Sequence, residues 1–293
     1  MTDLHAAVLG IVQGFSEFLP ISSTAHILLV DKLFFGQDSG AAFTAVIQWG
    51  TLLATLIYFR NDIVNILFRR KPASEEDGGQ TDQHLLTPIV VGTIPVVVLG
   101  LLLKHRIEHQ FRSLWVVIFS MVFFAILLGI AEWMYRARRD MGSVTTKDGL
   151  LVGLAQACAL IPGASRSGTT LTGAMMVGLE RSTAARFSFL LSLPAVFGAG
   201  AKELWDVRHN LASAGGARPL VIATIFAFIV GWATIDWLLK FLRRHPTYVF
   251  IVYRIVLGFL LAGLLASGVI KDTRDANEPK GATEARTHLH ARA

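Results

Sequence analysis

This chain is short of charge, short of cysteine, and without any familiar nucleotide motif. Only 16% of its 293 residues are charged, while 53% are hydrophobic, and its mean hydropathy is +0.53. That balance excludes an ordinary soluble globule and indicates a polytopic membrane protein. The single cysteine, Cys158, cannot form an internal disulfide, and its apolar neighbours read as packing. There is no Walker motif, kinase-type catalytic loop or Gly-rich dinucleotide fingerprint, which argues against a nucleotide as phosphate donor. No basic domain with interleaved aromatics occurs either, so no nucleic acid partner is expected. The first segment carries Asp3 and no basic leader, so no cleavable signal peptide is expected.

The long uncharged stretches carry the information. Residues 41–59, 85–103 and 113–131 are long and apolar enough to cross a bilayer, which takes about 20 helical residues. Residues 187–201 are a shorter and weaker candidate, while 219–235 and 247–270 are good ones, the last containing Arg254. The net charge of +6 is spread over short loops, which suits anionic lipid head groups. Residues 71–84 and the polar tail 271–293 are expected to be soluble and flexible; His288 and His290 of the tail read as solvated rather than as metal ligands.

Two further stretches hold one charge each, of opposite sign. Residues 4–30 contain only Glu17, and residues 149–179 only Arg166, with His taken as neutral. An ionised group at membrane depth is costly and usually marks a functional site with a partner. The simplest partnership is that these two segments meet. Each is broken by proline, Pro20 or Pro162, followed by Ser and Thr residues suited to capping a second helical arm. The arms are too short to cross alone. Each segment is therefore either a re-entrant helix–loop–helix or one long kinked span.

The segments also repeat. Gly10-Ile-Val-Gln13 matches Gly153-Leu-Ala-Gln156 at an offset of 143, and Phe43 lies opposite Phe187 at 144. The fold class expected is an all-α polytopic membrane protein with an inverted repeat, each half a re-entrant helix–loop–helix plus three transmembrane helices. It would form a single integral membrane domain over residues 1–270, with repeats at about 4–131 and 149–270.

The chemistry follows from the loops. Pro162-Gly163-Ala-Ser165-Arg166-Ser167-Gly168-Thr169 offers a guanidinium, hydroxyls and a helix N-terminus, which together cradle phosphate. Gln13 and Glu17 share one helix face at i,i+4; Glu17 could bind a divalent cation, act as a base or orient one. Ser22, Ser23 and Thr24 can cap or offer a nucleophile, and His26 stands close enough to manage protons. This is a phosphoryl-transfer set, and a site buried in a membrane suits a lipid phosphate. Gln48 and Arg254 are further polar groups at membrane depth, Arg254 either reaching lipid phosphate or snorkelling.

The run from Gln13 to His26 (Gln-Gly-Phe-Ser-Glu-Phe-Leu-Pro-Ile-Ser-Ser-Thr-Ala-His) and the run from Pro162 to Thr169 resemble the two signatures of the bacitracin-resistance type of undecaprenyl-diphosphate phosphatase. The resemblance covers about residues 3–270. It implies hydrolysis of undecaprenyl diphosphate to the monophosphate, recycling the carrier lipid of peptidoglycan synthesis in a bacterial inner membrane. It implies catalytic roles for Glu17, Ser23, His26 and Arg166. Gln13, Ser22, Thr24, Gly163, Ser165, Ser167, Gly168 and Thr169 would bind substrate. It further implies Mg²⁺ or Ca²⁺ held by Glu17, and a homodimer in some cases. Gln13 stands where the family has Glu or Gln, so any metal site here loses one negative ligand. The rival reading is a polyprenyl-phosphate transporter using the same inverted-repeat site. A second rival, the membrane phosphatase class with two separate histidines and a Lys–Arg motif, is disfavoured because no suitable second His follows Arg166 within the apolar segments.

Overall fold

A computed structural model describes residues 1–36, 39–68, 82–109, 113–136, 139–208, 216–270 and 272. Most of the stretches 71–84 and 271–293 lie outside these residues, His288 and His290 among them. The described residues are almost wholly helical.

The first broken segment forms α1, Asp3–Phe18, and α2, Ser23–Val30, which runs on as a short π-helical turn, Asp31–Phe35. Thr2 caps α1 by accepting from the His5 N–H (3.2 Å). Leu19, ahead of Pro20, is extended at φ −67° and ψ 141°, the geometry a following proline imposes. The second broken segment repeats the plan. Helix α7, Thr146–Ala157, starts in a capping box between Thr145 and Asp148. Ile161, extended ahead of Pro162, ends the first arm, and α8, Arg166–Met176, is the second arm.

Both segments are hairpins, which decides between the re-entrant and the kinked reading. His5 near the start of α1 pairs with Asp31 just past α2 (2.5 Å). Arg139 donates to Asp148 at the start of α7 (2.6 and 3.0 Å) and to the Val177 carbonyl at the end of α8 (2.8 Å). Each chain segment therefore leaves near where it entered.

Three long helices follow each hairpin. In the first half these are α3 (Gly40–Tyr58), α5 (Leu86–His109) and α6 (Leu114–Trp133). In the second half they are α9 (Arg181–Val207), α10 (Ala217–Leu242) and α11 (Tyr248–Ala266). Five are long and apolar enough to cross a membrane by themselves. The sixth, α3, joins them if it is counted with α4 (Arg60–Phe68), from which it is bent by 69°. Their outer faces carry large apolar side chains such as Leu101, Leu102 and Phe259, the surface expected against lipid.

The halves interlock by a two-fold exchange. Helix α1 packs along α10 of the other half, and α7 packs along α5; α3 meets α9, and α6 meets α11. Glycine at matching positions permits the close approach. A Cβ at Gly10 would stand 2.3 Å from the Ala223 carbonyl oxygen, and one at Gly153 only 2.0 Å from that of Gly92. The repeat anchors Phe43 and Phe187 are both fully buried.

One span differs from the sequence reading, and one short helix adds to it. Helix α9 begins at Arg181, several residues ahead of the expected 187, because its charges are neutralised at long range. Arg181 pairs with Glu132 of α6, and Arg186 with Asp62 of α4. The segment after residue 59 is not simply loop: Arg60–Phe68 is helical, with Ile66 buried.

Candidate active site between two broken helices

The two lone charges do meet. Arg166 Nη2 donates to Glu17 Oε1 across the crossing of the hairpins. The other carboxylate oxygen, Oε2, accepts from the Ser23 hydroxyl (2.7 Å) and from Gln13 Nε2 (3.0 Å). One buried carboxylate thus gathers the guanidinium of one loop and the hydroxyl and amide of the other. Arg166 is 26% exposed in its side chain. Its guanidinium has five N–H donors, so it keeps some for a ligand.

Glu17, Ser22, Ser23, Thr24, Gly163, Ser165 and Arg166 line one open cleft, together with Gln48 and Gln156. Ser165 caps α8, its Oγ accepting from the Gly168 N–H (3.2 Å), so the N–H groups of Arg166 and Ser167 are the first-turn donors left without a helical acceptor. Such a helix end suits an anion, as the sequence suggests.

Not every expected residue faces that cleft. Ser167 Oγ donates to the Leu19 carbonyl (2.9 Å) and meets Ser165 Oγ (3.2 Å), tying one loop to the other. The Gly168 N–H is taken by the cap. The Thr169 hydroxyl donates to the Arg166 carbonyl (3.1 Å) and is buried. The helix starts at Arg166, so residues 167–169 rotate away from the cleft into the packed interior. Ser167 instead lines a much smaller pocket that also touches the Glu17–Arg166 pair, with Thr51, Thr55 and Ser188.

His26 also stands apart. A carbonyl can only accept, so Nδ1 carries the proton donated to the Ser22 carbonyl (2.7 Å), and in the neutral ring Nε2 accepts from the Tyr253 hydroxyl (2.6 Å). Neither nitrogen is bonded to Ser23. The His26 backbone N–H bonds the same Ser22 carbonyl (3.3 Å). Tyr253 has no motif signal in the sequence.

Arg254 neither snorkels nor reaches lipid phosphate. It is fully buried and donates to the Pro20 carbonyl of one loop (3.3 Å) and the Gly163 and Ala164 carbonyls of the other (3.3 and 2.9 Å). It also donates to Met121 of α6 (3.1 Å). The charge is solvated by carbonyl dipoles, and it clamps both broken segments.

Among the described residues no cluster of three His, Cys, Asp or Glu side chains could hold a metal by itself. The cleft offers the hard oxygens of the Glu17 carboxylate, and Gln13, which does not line the cleft, is buried beside Glu17 with Oε1 left without a partner among the described residues. A cation shared with a phosphate fits that donor set.

Fold and site together define a multi-pass, all-helical membrane protein whose polar centre is built where two re-entrant hairpins cross. The profile of the family described as bacitracin resistance protein BacA matches residues 6–260, and the chain belongs to that family. It is 50% identical over 272 residues to an undecaprenyl-diphosphatase of Myxococcus xanthus (strain DK1622), covering 92% of this chain and 91% of that protein. It is 46% identical over 286 residues to one of Chlorobium phaeobacteroides (strain BS1), covering 92% and 100%. With one of Mycobacterium ulcerans (strain Agy99) it shares 44% identity over 274 residues, covering 90% and 97%.

Proposed function

We propose that this protein hydrolyses undecaprenyl diphosphate to undecaprenyl phosphate and inorganic phosphate in the bacterial inner membrane. It thereby recycles the carrier lipid for peptidoglycan synthesis and confers bacitracin resistance. The observation that carries the reading is the Glu17 carboxylate bonded at once to Arg166 and to Ser23, in a cleft inside a membrane fold whose relatives carry that activity in their names.

The roles follow from the bonds. Arg166 and the first-turn N–H groups of α8 hold the terminal phosphate and stabilise charge on its equatorial oxygens. Ser23 Oγ attacks the terminal phosphorus, and its proton passes to Glu17, already its hydrogen-bond acceptor. The new bond is Ser23 O–P; the bond that breaks is the anhydride P–O to the lipid-linked phosphate. Water then hydrolyses the phosphoserine and releases inorganic phosphate. His26 holds the Ser22 carbonyl and so positions the adjacent Ser23. Thr24, Ser22, Ser165 and Gly163 shape the phosphate end of the cleft. Ser167, Gly168 and Thr169 support it from behind.

A divalent cation, Mg²⁺ or Ca²⁺, belongs to this proposal, with Glu17 and Gln13 Oε1 as its protein ligands. When bound it would neutralise diphosphate charge. A homodimer in the bilayer is a further part of it, tested by cross-linking in native membranes.

The decisive experiment measures phosphate release from undecaprenyl diphosphate by purified protein in detergent, with and without divalent metal. Release by wild type that collapses in Glu17→Ala and Arg166→Ala supports the reading. No release by folded wild type in any metal sinks it. Trapping phosphate on Ser23 distinguishes the serine from a directly attacking water.

A further inference from the structure

The two repeats place a glutamine at the same point, Gln13 on α1 and Gln156 on α7, and both side chains are fully buried. Their surroundings differ in one respect. One turn beyond Gln13 stands Glu17, which takes its Nε2 (3.0 Å). One turn beyond Gln156 stands Leu160. The Gln156 amide therefore has no carboxylate to answer, and neither Nε2 nor Oε1 has a partner among the described residues. Buried polar groups are almost always bonded, and an unbonded amide destabilises the fold that contains it. An apolar side chain of that size would serve packing better.

Gln156 lies in the wall of the same cleft as Glu17, Ser23 and Arg166. The lining there has two characters. Glu17, Ser23 and Arg166 contribute charge and hydroxyls, while Val96, Leu160 and Ala195 contribute apolar wall suited to a lipid chain. Gln156 comes from the arm that leads into the phosphate loop, and it brings a neutral donor and acceptor among those apolar residues. The boundary between head group and chain is where a lipid diphosphate carries its inner phosphate.

We propose that Gln156 is a substrate-binding residue that holds the lipid-linked phosphate, the one that stays on the product. This rests on the phosphatase reading above. The Nε2 group donates to a non-bridging oxygen of that phosphate, and Oε1 accepts from a water of its hydration shell. The duplicated glutamines thereby divide the diphosphate: Gln13 sets the carboxylate that serves the terminal phosphate, and Gln156 recognises the inner one. The site then distinguishes a lipid diphosphate from a simple phosphate ester, because an ester fills one position only.

The test uses the full chain purified as wild type, Gln156→Leu and Gln156→Glu. Thermal stability, kcat/KM on undecaprenyl diphosphate and inhibition by each product are measured. Gln156→Leu removes both polar atoms, so its Tm should equal or exceed that of wild type while kcat/KM falls roughly 10- to 100-fold, the effect of one lost hydrogen bond to a charged group. Inhibition by undecaprenyl phosphate should weaken by a similar factor, and inhibition by inorganic phosphate should not change. Gln156→Glu keeps the shape and should repel the phosphate, losing at least as much. A Gln156→Leu protein with kcat/KM within twofold of wild type overturns the proposal. So does a loss of inhibition confined to inorganic phosphate. Calorimetric binding of undecaprenyl phosphate needs no turnover: it tests Gln156 even if wild type releases no phosphate, an outcome that would sink only the phosphatase reading.

Discussion

Ser22 and Ser165 stand at the same point of the two repeats and share the same unusual backbone, φ 76° and φ 70°, each as the N-cap of a second arm. No other non-glycine residue among those described has positive φ. Such a conformation costs on the order of 1–3 kcal/mol and persists where surrounding structure imposes it, commonly at functional sites. Here it turns the chain sharply enough for both loops to present Ser23 and Arg166, the next residue in each, to one carboxylate.

The two serines differ in one bond, and stability should report it. Only Ser165 caps its helix through its side chain. Ser165→Ala should lower stability by about 1 kcal/mol, roughly 2–4 °C in Tm. Ser22→Ala keeps the strain and loses no cap, so its Tm should stay within about 1 °C by the same scale. Thermal melts of both variants in one detergent check the pair, and equal shifts would contradict the difference in capping.

Glu17→Gln keeps the shape and removes the base. Phosphate release should fall by about 10²- to 10⁴-fold, the usual contribution of a positioned proton acceptor. Loss of the buried partner of Arg166 should also lower Tm. A Glu17→Gln protein with near-normal turnover would place the proton acceptor elsewhere.

Close helix contact between the halves makes its own forecast. Gly153→Ala puts a methyl group 2.0 Å from the Gly92 carbonyl oxygen, where backbone must move, and should destabilise by about 1–3 kcal/mol. At Gly198 an added Cβ meets nothing within 4 Å. Gly198→Ala is the control and should be neutral or slightly stabilising. Unfolding temperatures of the two variants should therefore separate clearly.

Acid should loosen the second hairpin at its entrance. Burial pushes the Asp148 carboxyl up, but hydrogen bonds from the Arg139 guanidinium and from the Thr145 N–H and hydroxyl outweigh it and hold the group below its ordinary value. A carboxyl depressed in the folded state contributes stability above its unfolded pKa of about 4 and loses it as pH falls through the folded value. Wild type should therefore lose Tm as pH falls from about 5 to below 4. Asp148→Asn should start lower and show a shallower acid limb.

What the sequence revealed was local and periodic; what it concealed was partnership at a distance. Pro20 and Pro162 mark the breaks because proline acts on its immediate neighbour. Glu17 and Arg166 announce each other because each is alone in an apolar stretch. The start of α9 at Arg181 was hidden, since its charge is answered by Glu132 from another helix. The motif marked Ser167, Gly168 and Thr169 as substrate-binding beside a catalytic Arg166. Only the helix start at Arg166 shows that they turn inward. His26 was readable as a proton carrier, but its bond to Tyr253 depends on α11, more than two hundred residues later.

The Arg254 clamp has a bearing on how the protein is made. Both loops precede it in the chain, complete with Glu17, Ser23 and Arg166, yet the guanidinium that fastens their carbonyls belongs to α11, the last of the described helices. Until that helix packs, the backbone around both breaks lacks its shared donor, and the loops are joined by the Arg166–Glu17 pair and the Ser167–Leu19 hydrogen bond. A chain without that helix keeps Glu17, Ser23 and Arg166 but loses the one side chain that fastens the Pro20, Gly163 and Ala164 carbonyls to a common point.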